Sequence, residues 1–257
     1  MDGFSRAKVK CVVRGCICCF LVVVLVYGVK IASRKNAYNN IGGNCISAYR
    51  YSYYQNDSKG NRIISPGYVE EKVALRSENT AVIIMDPWKE TSSMRINTDA
   101  YRNIGDVVIP LLDSFVNNSV HEIYFFTNSP RSGDKTTIKI DDRLMQYVEN
   151  KQAKICYHQD YYSPHIFANE LKRDGIKNII YLGYHLNMCV IFRDVGVIPL
   201  YFHSRDLNFY VVPEGTLAVI NDVEKDNLST REAMSLMLAQ NNIAKIIHAE
   251  DLLNFNW

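Results

Sequence analysis

The sequence predicts an α/β protein of three layers, α/β/α, around a mostly parallel sheet of five or six strands, preceded by an N-terminal transmembrane anchor. Three observations carry that expectation. Runs of β-formers alternate with amphipathic stretches from residue 78 to 257, the order that gives a parallel sheet covered on both faces. Two of those runs, in TAVIIMD (80–86) and NIIYLG (178–183), are continuously apolar rather than alternating, as strands buried on both sides are. Residues 15–29, GCICCFLVVVLVYGV, contain no charge at all.

Residues 1–35 hold seven Lys/Arg and one Asp, a charge of +6; against a total of +2, the other 222 residues carry −4. A body of that sign gives no electrostatic case for nucleic-acid binding. The uncharged run falls short of the ~20 residues of a spanning helix, but Arg14 and Lys30 extend it by snorkelling. A cleaved signal peptide is the competing reading. The uncleaved signal-anchor is preferred, because no clean small-residue cleavage site follows. The basic leading flank then assigns the N-terminus to the cytosol and the body to the extracytosolic side. Cys11, Cys16, Cys18 and Cys19 cluster here, as palmitate acceptors or simply as small apolar residues. Residues 36–77, with NNIGGN and YRYSYYQNDSKGNR, read as a stem rich in turn formers.

The body then unfolds in order. TAVIIMD is a buried strand ending in Asp86, and 98–117 has the helical spacing of Ile104, Val107, Val108, Leu111, Leu112 and Phe115. HEIYFFT (121–127) is a second strand, DDRLMQYVEN a helix, and AKICY (153–157) a short strand. HIFANELKRDG is a helix closing on Gly175, NIIYLG the next strand, LNFYVVP (207–213) another, STREAMSLMLAQNN a helix and AKIIHA a last strand. Cys45, Cys156 and Cys189 are the body's cysteines, with no CxxC or Cys/His zinc spacing. A Cys45–Cys156 bridge is open to an extracytosolic body.

The chemistry concentrates at two strand ends. Asp86 sits at the carboxyl end of a buried strand, where open α/β sheets hold their ligands. NIIYLG breaks at Gly183 and delivers Cys189 to VIFRDVGV, which has the pattern of a helix start. A helix N-terminus favours thiolate over thiol, and its N–H groups suit an oxyanion. A buried structural cysteine is the bland alternative.

TAVIIMD-PW together with GYHLNMCV resembles the isochorismatase-like cysteine hydrolase superfamily, in its branch with D-x-W and H-x-N-M-C-V motifs, over about residues 78–250. The resemblance implies Cys189 as nucleophile, Asp86 as base, and an oxyanion site made by the backbone N–H groups of His185 and Cys189. It also implies a cis peptide at Tyr184–His185. Trp88, Tyr184, Asn187 and Arg193 are the candidates for the substrate pocket, with Trp88 open equally to a surface plug over the core. Arg193 has a second reading, a surface ion pair near Asp194. The family's third catalytic group is a lysine at the end of the third body strand. This chain has YHQDYYSPHIF (157–167) there, so His158 and Asp160 are the candidates for that place, against a plain polar loop. The metal-using relatives carry histidines after the first strand; here the stretch is PWKETSSMRINTDAYR, so neither metal nor cofactor is expected.

Two functions follow. One is a membrane-anchored hydrolase that cleaves a C–N bond of a small amide or ureide; homo-oligomer formation is open. The other is a catalytically impaired descendant that holds a metabolite or a protein at the membrane.

Overall fold

The computed structural model describes residues 45–89, 97–129, 140–161, 163–218 and 227–257. The charge-free run and the rest of the N-terminal segment lie outside the described residues. Among the described residues, no helix is long and apolar enough to cross a membrane.

Eight strands make one sheet: β1 (Cys45–Asn56), β2 (Arg62–Ala74), β3 (Thr80–Met85), β4 (Glu122–Thr127), β5 (Lys154–Tyr157), β6 (Asn178–Tyr184), β7 (Asn208–Leu217) and β8 (Lys245–Ile246). Their order is β2-β1-β8-β7-β6-β3-β4-β5. From β8 to β5 every pairing is parallel, while β1 pairs antiparallel with both β2 and β8. The helices are α1 (Asn97–Asn103), α2 (Ile109–Asn117), α3 (Asp142–Glu149), α4 (Pro164–Arg173), α5 (Val197–His203), α6 (Asn227–Gln240) and α7 (Ala249–Leu253).

The apolar runs become central strands because both faces are covered. Along β3, Val82 and Ile84 face one layer with Leu111, Phe115, Leu144 and Leu252. Ala81, Ile83 and Met85 face the other with Phe167, Leu171, Leu200 and Leu238. Successive side chains of a strand point to opposite faces, so one continuous apolar run serves two helix layers. Ile179, Ile180, Tyr181 and Leu182 of β6 are each 0% exposed. Burying such a side chain contributes about 1.5–3 kcal/mol.

From β3 the chain builds β4 and β5 on one side, then returns to set β6 against the other side of β3. The carboxyl ends of β3 and β6 therefore flank the point where the strand order reverses, the position of the ligand crevice in open α/β sheets.

Four expectations need correction. The sheet has eight strands, not five or six. The added pair comes from the segment read as a stem: 45–74 is a hairpin, turned at Asp57, whose carboxylate accepts from the Lys59 and Asn61 N–H groups. Ile46 and Ala48 of β1 pack into one core layer while Tyr49 and Tyr51 pack against the other, so the tyrosine-rich run is a half-buried strand and not a linker. The predicted 98–117 helix is interrupted by a π-helical turn at Ile104–Val108. Finally, no disulfide joins Cys45 to Cys156. They sit on β1 and β5, six strand spacings apart, at ~4.8 Å each well beyond a disulfide's reach.

Candidate active site

Asp86 leaves β3 in the left-handed region, with φ +46°. Two backbone bonds hold it there: its N–H donates to the Phe126 carbonyl (2.8 Å), and its carbonyl accepts from the Trp88 N–H (2.7 Å). A non-glycine residue in that conformation persists only where its surroundings determine it, most often at functional positions. The side chain is fully buried. Its Oδ1 lies 3.3 Å from Nε2 of His158, a buried residue at the end of β5 whose ring stacks on Phe126. Asp86 Oδ2 has no hydrogen-bond partner among the described residues. A buried carboxylate oxygen without a donor is a ready proton acceptor.

Cys189 reaches the same place from β6. Gly183 has φ +99°, and a Cβ there would run into the backbone of Met85. Only glycine lets β6 approach β3 so closely at this point. The Tyr184–His185 peptide is cis. A π-helical turn, Leu186–Val190, follows, with the His185 carbonyl accepting from Met188 N–H (3.0 Å) and Val190 N–H (3.1 Å). The helical run after Cys189 is short: the Arg193 carbonyl accepts from Gly196 N–H (2.7 Å), and α5 starts afresh at Val197.

The Cys189 thiol is 9% exposed. Burial pushes its pKa up to about 11; the neighbouring Asp86 carboxylate adds to the rise, and the Arg193 guanidinium opposes it. The resting cysteine is therefore a thiol beside a carboxylate, not a preformed thiolate. Arg193 is half-buried, with its N–H on the Cys189 carbonyl (3.2 Å). Burial works against its charge, and the adjacent thiol and Asp86 outweigh that, holding its pKa above the ordinary arginine value. Its side chain thus turns inward to the thiol, in place of the surface ion pair allowed from sequence; Asp194 is the last of the charges acting on it.

Asp86, Cys189, His158, His185 and Arg193 thus form one cluster at the carboxyl ends of the strands. Trp88 borders it, its ring edge-on to His185 at 6.0 Å between centroids and its buried Nε1 without a partner among the described residues. Burial lowers the His185 pKa, against a smaller opposing effect of Asp86, so the imidazole is neutral at pH 7. Asn187 is half-buried on the π turn.

Two expected residues drop out. Asp160 is exposed, and its charge is felt at the Cys156 thiol. Tyr184 is buried in the opposite layer, where its hydroxyl donates to the Ala100 carbonyl (3.1 Å) and approaches Asn103 Oδ1 (3.2 Å). Lys154 pairs with Glu122 (2.6 Å) on the outside of the sheet.

Sequence reasoning missed Thr127, which ends β4 beside Asp86 with its buried Oγ1 unpartnered among the described residues. Its position at a strand end was the available signal. Among the described residues no group of three or more His, Cys, Asp or Glu side chains is placed to hold a metal ion.

No protein-family model matches the sequence, and no curated protein does. Solved structures similar to this one include the nicotinamidase SaPncA of Staphylococcus aureus, at 14% identity and TM-score 0.49, covering 66% of this chain and 99% of that one. An isochorismatase of Pseudomonas putida gives 14% identity and TM-score 0.49 over 68% of this chain and 91% of that one. The YcaC gene product of Escherichia coli, described as an octameric hydrolase of unknown specificity, gives 15% identity and TM-score 0.47 over 70% and 79%.

Proposed function

We propose that this chain is an isochorismatase-like cysteine hydrolase that cleaves a C–N bond of a small amide- or ureide-type molecule. The observation that carries the reading is the meeting of the Cys189 thiol with the Asp86 carboxylate at the switch-point crevice, His158 backing the carboxylate. A neutral thiol beside an unpartnered carboxylate oxygen is a nucleophile with its base in place.

In the proposed reaction the thiol proton passes to Asp86 Oδ2 as sulfur bonds to the carbonyl carbon. The carbonyl π electrons move to oxygen, which the backbone N–H groups of His185 and Cys189 receive. Collapse of this intermediate breaks the C–N bond, and the departing nitrogen takes the proton from Asp86. Water then attacks the thioester, giving one proton to Asp86; as the S–C bond breaks, sulfur takes that proton back and a carboxylic or carbamic acid is released. His158 holds the carboxylate in position through Nε2, and Trp88 and Asn187 line the substrate.

The test is ammonia release from a panel of small primary amides and ureides, with mass spectrometry of the Cys189 peptide. The expected result is turnover by the wild-type chain, an acyl adduct on Cys189, and loss of both in C189A. Equal turnover by C189A would sink the reading.

The signal-anchor at 15–29, with the body extracytosolic, belongs to the same proposal. Its support is the charge-free run between Arg14 and Lys30.

A second reading, a binding module, has one specific observation in its favour. A cavity of about 800 Å³ lies between the hairpin and α6, lined by Tyr49, Tyr68, Glu214, Arg231, Leu236 and His248, away from Cys189. It is of ligand size.

A further inference from the structure

The Cys189 thiol sits between two opposite charges. Asp86 faces it from the end of β3, with His158 of the β5 end behind the carboxylate. Arg193 faces it from its own turn, with Asp194 beside the arginine, and His185 stands at the start of that turn. The two charges do opposite things. The carboxylate disfavours negative charge on sulfur, and the guanidinium favours it.

Backbone bonds fix the arginine in this place. The Arg193 N–H donates to the Cys189 carbonyl (3.2 Å), which sets residue 193 one helical turn after the thiol. Gly196 closes the run: its N–H bonds back to the Arg193 carbonyl (2.7 Å), and a Cβ there would crowd the carbonyls of Val190 and Arg193. The run thus ends within one turn of the thiol, and the Arg193 side chain hydrogen-bonds to Cys189. Half-burial makes the charge count for more than it would in water.

We propose that Arg193 is a catalytic residue: its guanidinium stabilises the sulfur anion that forms when the Cys189 proton moves to Asp86. The inference rests on the hydrolase reading and deepens it. No new bond is required of the arginine. As the S–H bond breaks and the Asp86 O–H bond forms, one unit of negative charge moves from Asp86 to sulfur, towards the guanidinium and away from His158. The arginine thereby offsets the burial that holds the thiol protonated at rest. An arginine keeps its charge at every working pH, so the stabilisation does not titrate. After acyl transfer sulfur is a neutral thioester, and the guanidinium is free to hold the departing acid product.

The test needs no substrate. Iodoacetamide alkylation of Cys189, followed on its tryptic peptide over the alkaline range, reads the thiolate fraction directly. R193Q should alkylate roughly tenfold more slowly at about pH 8, with its inflection moved up by about a pH unit, while R193K recovers most of the loss. R193M keeps the packed stem and carries the same expectation should R193Q not fold. An R193Q or R193M profile that overlays the wild type, in a protein with an unchanged melting curve, overturns the proposal. If the shift is seen but wild type releases no ammonia from any amide, the Arg193–thiolate pairing stands and the hydrolase reading fails. If C189A destroys turnover but R193Q leaves the alkylation profile in place, the reverse holds.

Discussion

At the residue scale the account turns on one proton. Burial and the Asp86 charge push the Cys189 pKa up to about 11, so near neutral pH the proton rests on sulfur. For a group that ionises to an anion, a raised value means that thiolate appears only as the pH rises towards 11. Removing the Asp86 charge must then lower the value and raise thiol reactivity at fixed pH, while removing the proposed base stops amide cleavage. Reactivity and catalysis move in opposite directions in D86N. A structural cysteine in an inert core has no reason to show that split. Much of this was legible beforehand: Asp86 after an apolar strand and Cys189 six residues past Gly183 stand out by position, and the family resemblance implied their pairing. Less legible was Arg193, which the sequence left between a pocket residue and a surface ion pair near Asp194. Its side-chain hydrogen bond to Cys189 decides for the first.

At the scale of elements, the site depends on β6 lying hard against β3 where both strands end. Gly183 makes this contact, with φ +99° and no room for a Cβ against Met85. G183A combines a left-handed strain with a backbone clash, so it should cost about 3 kcal/mol or more of stability. Urea denaturation of G183A against wild type measures the cost, and a loss under ~0.5 kcal/mol would mean the strands part easily there. The same scale shows where sequence reading failed. Continuous apolar runs announced β3 and β6, because burial on two faces leaves no polar position. The hairpin announced nothing: in β1 the pattern CISAYRYSYYQN mixes two buried residues with half-exposed tyrosines, and tyrosine serves a half-wet strand as readily as a loop. Its partner β2 lies at the sheet edge, with Ile64 77% exposed, so hydrophobic periodicity had little to report.

At the scale of the whole molecule, a parallel sheet sets both functional strand ends at one switch point, and the antiparallel hairpin extends the sheet far from them. The fold class was legible from strand–helix alternation; the sheet's full width was not, because two of its strands lie before that alternation begins. The basic N-terminal segment, with its charge-free run at 15–29, belongs to the same scale. Deleting residues 1–35 should move the protein from the membrane fraction to the soluble fraction, and a truncated chain that stays in carbonate-washed membranes would contradict the anchor. The central claim, that Asp86 and Cys189 act as one acid–base and nucleophile pair, has a direct test in the pH profile of Cys189 alkylation for wild type and D86N. The account predicts a wild-type rate still climbing towards an inflection at about 11, and a D86N rate roughly tenfold higher at about pH 8, in a protein that has lost amide cleavage. Superimposable profiles with an inflection at the ordinary cysteine value would contradict it.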